Sequence, residues 1–185
     1  MDKDQKIQLI DENLINIEFY IDQKVKFWME HVLFSGLWWF GFILSIVPWV
    51  IWFFFRKKES TDRLLYIGVL VMVISLVFDI LGDQFALWHY RFNVVPILPT
   101  YFPWDLTLMP VTVMLLLQVK PKGSPYLKAL LFALVTAYAA EPFIHWLKIY
   151  DPKNWRFSYS VPIQFGIYMF AHYLSRRNKF VELAK

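Results

Sequence analysis

LLYIGVLVMVISLVFDILGDQFALW, residues 64–88, decides the fold. Its first fifteen residues carry no charge, and a run of this length matches the ~20 apolar residues that cross a bilayer as a helix. Four more apolar segments lie around it: Val32 to Phe55, Leu106 to Val119, Tyr126 to Leu147 and Phe157 to Leu174. The chain of 185 residues, 58% hydrophobic and 20% aromatic, is too apolar for an ordinary soluble domain. The expected fold is therefore all-α: an integral membrane bundle of about five transmembrane helices, residues 32–55, 64–88, 106–119, 126–147 and 157–174. The segment 106–119 spans only ~20 Å by its rise, so residues of the Pro-rich stretch before it are expected to be buried as well.

Residues 1–31 read differently. Ile7, Ile10, Leu14, Ile17, Ile21, Val25 and Trp28 fall at helical spacing with charges between them, which predicts an amphipathic helix. It would lie on the membrane surface or on the bundle; the heptad interval of Ile7, Leu14, Ile21 and Trp28 offers a coiled coil between subunits as the alternative. With no apolar leader core ahead of it, a cleaved signal peptide is not expected.

The formal charge of +4 resides in short clusters beside apolar runs, a pattern of membrane topology and not of nucleic-acid binding. Arg56, Lys57, Lys58 and Arg63, then Lys120, Lys122 and Lys128, then Arg176, Arg177 and Lys179 fall on one side when five helices are threaded alternately. The positive-inside rule makes that side cytoplasmic. A multi-pass protein of the cell membrane follows, its N-terminus outside and its basic tail, 175–185, in the cytoplasm. Outward loops carry Arg91, Lys148, Lys153 and Arg156 against this pattern. Tryptophans near segment ends, among them Trp88, Trp104, Trp146 and Trp155, suit interfacial anchoring. The absence of cysteine excludes disulfides, thiolate metal sites and cysteine nucleophiles. Walker, dinucleotide-binding and nucleophile-elbow motifs are lacking, and no internal repeat is visible.

Ionisable groups inside apolar segments are costly, and each is a functional candidate. Asp79 and Asp83 are four apart on one helix, as are Glu141 and His145 on another. Between them WHYRFNVVPILPTYFPWD carries His89 and Asp105 among Pro96, Pro99 and Pro103. Counting from Leu64 and Tyr126, Asp79 and Glu141 both lie about 22 Å along their helices. All six groups, Asp79, Asp83, His89, Asp105, Glu141 and His145, are thus expected near one outward-opening cavity that binds a lipid-like or small cationic ligand. Pro142 should break a hydrogen bond and bend its helix beside Glu141. The three-proline loop should run extended and fold back as a lid or re-entrant plug.

Four carboxyls in a poorly hydrated space need neutralising. Pairing with Arg91, Lys148, Arg156 or histidine is one answer, and protonation, which would make an acid catalyst, is a second. A divalent metal held by Asp79, Asp83, Glu141 and His145 is a third, although no cofactor is evident and the Glu141 to His145 interval is not the Glu-x-x-His of di-iron bundles. A cationic ligand is the fourth.

The stretch FDILGDQFALWHYRFNVVPILPTYFPWDLTLMP, residues 78–110, resembles a family of small polytopic membrane proteins of spore-forming Gram-positive bacteria. The likeness rests on Asp79, Asp83, the Trp88-His89-Tyr90 turn, Pro96, Pro99, the Pro103-Trp104-Asp105 motif and Pro110, and extends to Glu141-Pro142. It implies a bacterial membrane protein and brings no activity. A looser likeness, in Trp88-His89-Tyr90 and Pro103-Trp104-Asp105, is to the membrane-bound lycopene cyclases, although the paired Pro-x-Glu-Glu element is missing. That likeness implies an enzyme on a prenyl or lipid substrate, by carboxylic-acid catalysis with Asp105 or Glu141 as proton donor or by metal-assisted catalysis. A structural or assembly subunit, its polar groups locking helices together, is the third reading. The partners expected are the lipid bilayer, such a ligand and further copies of the chain, and not nucleic acid.

Overall fold

The computed structural model describes residues 1–177 and is helical almost throughout. In order the elements are α1 (Lys3–His31), α2 (Gly36–Phe55), α3 (Thr61–Gln84), β1 (His89–Tyr90), α4 (Trp104–Gln118), α5 (Pro125–Trp146), β2 (Tyr150–Asp151) and α6 (Phe157–Ser175). A 3₁₀ turn, Lys58–Ser60, runs directly into α3. Three stretches, Gly36–Phe55, Lys58–Gln84 and Pro125–Trp146, are long and apolar enough to cross a membrane, whereas Trp104–Gln118 is shorter. Their most apolar windows are only 17%, 33% and 39% buried within the chain, so most of that surface needs covering by lipid or another protein.

Packing follows the small residues. Ala129, Ala133 and Ala137 are fully buried at four-residue intervals along α5, which packs on α6; such a stripe lets two backbones approach closely. Gly68 does the same for α3 on α4: a Cβ there would lie 2.8 Å from Met114 Sδ. Ile67 and Val71 of α3 and Val113 and Met114 of α4 complete that interface in the core. α2 rests against the first turn of α4, and α3 also meets α6.

α1 forms as its spacing predicts, started by a capping box of Asp2 and Gln5. No residue of it is buried. Its far end is tethered by Trp28 Nε1, which donates to the Asn93 carbonyl at 2.7 Å.

Proline shapes α4 and α5 by the same device. Each contains a wide π-helical turn, Trp104–Leu108 and Thr136–Ala140, ending immediately before a residue followed by proline, Met109-Pro110 and Glu141-Pro142. Met109 N–H reaches the Trp104 carbonyl and Glu141 N–H the Thr136 carbonyl. Pro142 is thus accommodated by widening a turn, an insertion that recurs at functional positions in helices. Pro110 cannot donate to the Leu106 carbonyl four residues back; that oxygen accepts from Trp49 Nε1 of α2 at 3.1 Å.

The exits of α3 and α5 are alike. Ala86 and Lys148, each seven residues after a buried acid, Asp79 or Glu141, take left-handed backbone at φ 53° and 63°. Leu87 N–H then bonds back to the Gly82 carbonyl and Ile149 N–H to that of Ile144, the paired closure that satisfies the last carbonyls of a helix. For that reason the segment expected to run to Trp88 stops at Gln84. Beyond the turns β1 and β2 pair antiparallel, His89 opposite Asp151 and Tyr90 opposite Tyr150. Arg91 pairs with Asp151 at 2.6 Å, and Asn154 bonds the carbonyls of Leu87 and Ala86. This ribbon fixes the ends of α3 and α5 at one level.

The basic clusters meet at the opposite end, where α2 and α6 finish, α3 begins and α4 turns into α5. Most of the tail 175–185, Lys179 included, lies outside the described residues.

Candidate functional site: a carboxyl cavity walled by aromatic rings

A cavity of about 60 Å³ lies where the ribbon joins the helices, lined by Asp79, Asp105 and Glu141 together with Ser75, Ser160 and Gln164. Rings of Trp88, Tyr90, Trp104, Tyr150 and Trp155 form much of its wall. It has room for a few water-sized groups and none for a prenyl chain, since drug-sized ligands need ~300 Å³ or more.

Asp79 is 5% exposed, and donors from three segments converge on it. Trp88 Nε1 donates to Oδ1 at 2.8 Å, the Tyr90 hydroxyl to the same oxygen at 3.0 Å, and the Tyr101 backbone N–H to Oδ2 at 3.1 Å. Trp88 reaches it by lying across Gly82, where a Cβ would stand 1.9 Å from the indole. Asp105, on the wide turn of α4, accepts from the hydroxyls of Ser75 and Thr100 and lines the same cavity as Asp79.

Glu141 belongs to a second arm. Trp155 Nε1 donates to Ser160 Oγ and the Ser160 hydroxyl donates to Glu141 Oε2, both at 2.9 Å. Among the described residues no donor reaches its other oxygen, and Gln164 Oε1 is buried without a partner. Both residues line the cavity.

The other three expected groups are elsewhere. His89 Nδ1 lies 2.8 Å from Asp83 Oδ1, the two pairing with each other away from the lining. His145 Nδ1 lies 3.0 Å from the Tyr150 carbonyl and, as the N–H bearing nitrogen, holds β2 against the end of α5. Among the described residues no three of His, Asp and Glu could hold one metal ion.

The Pro-rich loop is folded into the bundle. Thr100 and Tyr101 are buried, and Trp38 Nε1 of α2 donates to the Val94 carbonyl. Gly41 makes room for it, since a Cβ there would meet Val94 at 2.9 Å.

No family model, curated protein or solved structure matches the chain.

Several carboxyl holders escape a reading for charge alone. Ser75 and Ser160 are single hydroxyls in apolar runs, each four residues before Asp79 or Gln164; that spacing is the signal that was there to read. Trp88, Trp104 and Trp155 were expected as interfacial anchors, yet they wall the cavity.

Trp88→Phe keeps an aromatic ring, though a smaller one, and removes the donor to Asp79. It should cost about 1–3 kcal/mol in thermal unfolding. Gly82→Ala, which displaces the indole, should lose the same bond and cost at least as much. Either variant melting like wild type would show that the bond does not hold the turn.

Tyr90 and Tyr150, which line the cavity, and Tyr101, stacked on Tyr90, have pKa values raised, in each case chiefly by burial. Asp79 and Asp105 add to the effect on Tyr90, and Glu141 and Asp79 to that on Tyr150. A raised folded pKa favours the folded state fully below the unfolded value of ~10 and less as pH rises through the folded one. Stability should therefore be insensitive to these groups up to about pH 10 and fall above it, with three tyrosines resisting phenolate formation until unfolding. Full ionisation in the folded protein at pH ~10 would contradict the burial.

Proposed function

We propose that this is a five-span membrane protein that binds a small ammonium-type cation in the carboxyl cavity. The observation that carries the reading is the cavity's one-sided chemistry: three carboxyls and, among the described residues, an oxygen without a donor on each of Glu141 and Gln164 and no Lys, Arg or His in the lining. A ligand that donates hydrogen bonds and carries positive charge satisfies all of these, and aromatic faces attract such a cation within ~6 Å of the ring centre. The volume selects a group of few heavy atoms.

Five spans follow from adding α4 and α6 to the three long apolar helices. They pack on α3 and α5 and return the chain to the basic end. With that end in the cytoplasm, the cavity and the N-terminus are on the outside of a bacterial cell membrane. The likeness to the spore-former membrane family is part of this reading.

A second reading rests on Asp79 and Asp105 lining one cavity with Trp104, which also borders an apolar groove of about 300 Å³ between α4 and α5. A carboxylic acid of this pair donating a proton toward the groove suits acid catalysis on an apolar substrate.

Titration of the detergent-purified protein with methylammonium chloride, against sodium chloride at equal ionic strength, tests the first reading through the fluorescence of Trp88, Trp104 and Trp155. A saturable change specific to methylammonium is expected, weakened about tenfold or more in Glu141→Gln, the range for one lost charge-assisted hydrogen bond. Identical curves for the two salts would sink it. For the second reading, turnover of a polyprenyl substrate should vanish in Asp105→Asn; turnover that survives would remove acid catalysis by this pair.

A further inference from the structure

The opposite end of the bundle holds a larger cavity of about 510 Å³, and its chemistry is the reverse. Its floor is apolar, made by Leu64 of α3 and Leu117 of α4, both buried. Its rim carries Lys57, Arg63 and Arg176, with His172 and Ser60 beside them. No carboxylate lines it among the described residues, and none of these three cations is ion-paired there.

The positive-inside rule accounts for basic residues at this end, but not for their convergence on one hollow. Three separate connections bring them together. Gln118 at the end of α4 clasps the α2–α3 turn, donating from Nε2 to the Phe55 carbonyl at 2.9 Å and accepting from Lys57 N–H at 3.2 Å. Arg63 Nη1 donates to the Ser175 carbonyl at 3.0 Å, bringing the end of α6 alongside α3. One guanidinium hydrogen bond leaves four of the five Arg63 donors unspent. The Lys57 amine and the Ser60 hydroxyl make no hydrogen bond among the described residues, so all face the hollow uncommitted.

We propose that this cavity binds a phosphate monoester group. Two guanidinium forks and an ammonium match a doubly charged phosphate with three terminal oxygens, for which bidentate arginine geometry is suited. The group has two sources: the headgroup of a lipid such as phosphatidic acid, or phosphate free in solution. Basic pockets between transmembrane helices at this level take anionic headgroups in the same way. The site is independent of the carboxyl cavity, since no residue lines both.

The test uses the full chain, delipidated in detergent, titrated by calorimetry with phosphatidic acid, with phosphatidylcholine and with inorganic phosphate. One-site saturable binding of phosphatidic acid is expected, with none of phosphatidylcholine, and a loss of tenfold or more in affinity in Arg63→Gln and in Lys57→Gln/Arg176→Gln. Lys58→Gln/Lys122→Gln removes two neighbouring charges that do not line the cavity and should leave affinity within twofold. Inorganic phosphate binding as tightly as phosphatidic acid, with the same sensitivity to the variants, would place the source in solution; binding of the lipid alone would place it in the membrane. Equal losses in the Lys58/Lys122 variant would mean unspecific surface charge, and no saturable binding of either phosphate would mean no site; both overturn the proposal. Two independent sets of rim substitutions guard against one variant failing to fold.

Discussion

The acid end of the bundle depends on the carboxyl of Asp79. Burying such a group without partners is prohibitive, and each hydrogen bond that satisfies it contributes about 0.5–1.5 kcal/mol net. Its partners arrive from the indole of Trp88 just past α3, the hydroxyl of Tyr90 in β1 and the main chain of Tyr101 in the Pro-rich loop. It shares the cavity with Asp105 of the first turn of α4. A single side chain thereby fixes how α3 ends, where β1 points and how deeply the loop is seated. The hydrophobic effect cannot make these choices here, because most of the apolar surface of α2, α3 and α5 is left for surroundings outside the chain.

Irregular backbone concentrates at the same end for a related reason. Both prolines that follow a wide turn, Pro110 and Pro142, remove an amide donor inside an apolar helix, where an unsatisfied carbonyl would be expensive. The Leu106 carbonyl is answered by Trp49. Widening the turn also changes which side chains face inward: Asp105 lies within the π turn of α4, and Glu141 directly follows that of α5. The two acids are presented to the cavity from backbone that a regular helix would not supply.

Apolar run length made the helices legible, and the positions of Asp79, Asp105 and Glu141 along them made a shared polar site legible. Rotation was not. Helices apolar on all sides have little amphipathic moment to show which way a residue faces, and the expectation that Asp83 accompanies Asp79 followed from spacing alone. It is undone by the left-handed turn at Ala86, which carries the chain back so that His89 meets Asp83 outside the cavity. His145 is engaged in the same manner by the turn at Lys148. Non-glycine residues rarely adopt such turns, so neither was readable from the residue type. Trp38, Trp49 and Trp88 lie near segment ends and read as interfacial anchors, and their N–H groups as donors to the Val94 carbonyl, the Leu106 carbonyl and Asp79 appear only in three dimensions.

The two cavities are complementary in sign and separated along the length of α3, which carries Arg63 at one end and Asp79 toward the other. That separation follows from threading. α3 and α5 both start at one end and finish at the other, and α4 and α6 return. Both signs of charge occur at each end, with Glu59 and Asp62 beside the basic clusters and Arg91, Lys148, Lys153 and Arg156 near the ribbon. What differs is the linings: Arg91 is taken up by Asp151 outside the carboxyl cavity, and neither Glu59 nor Asp62 lines the basic one. The ribbon assembles one site by joining the ends of α3 and α5, and the Gln118 clasp with the Arg63 bond to Ser175 assembles the other.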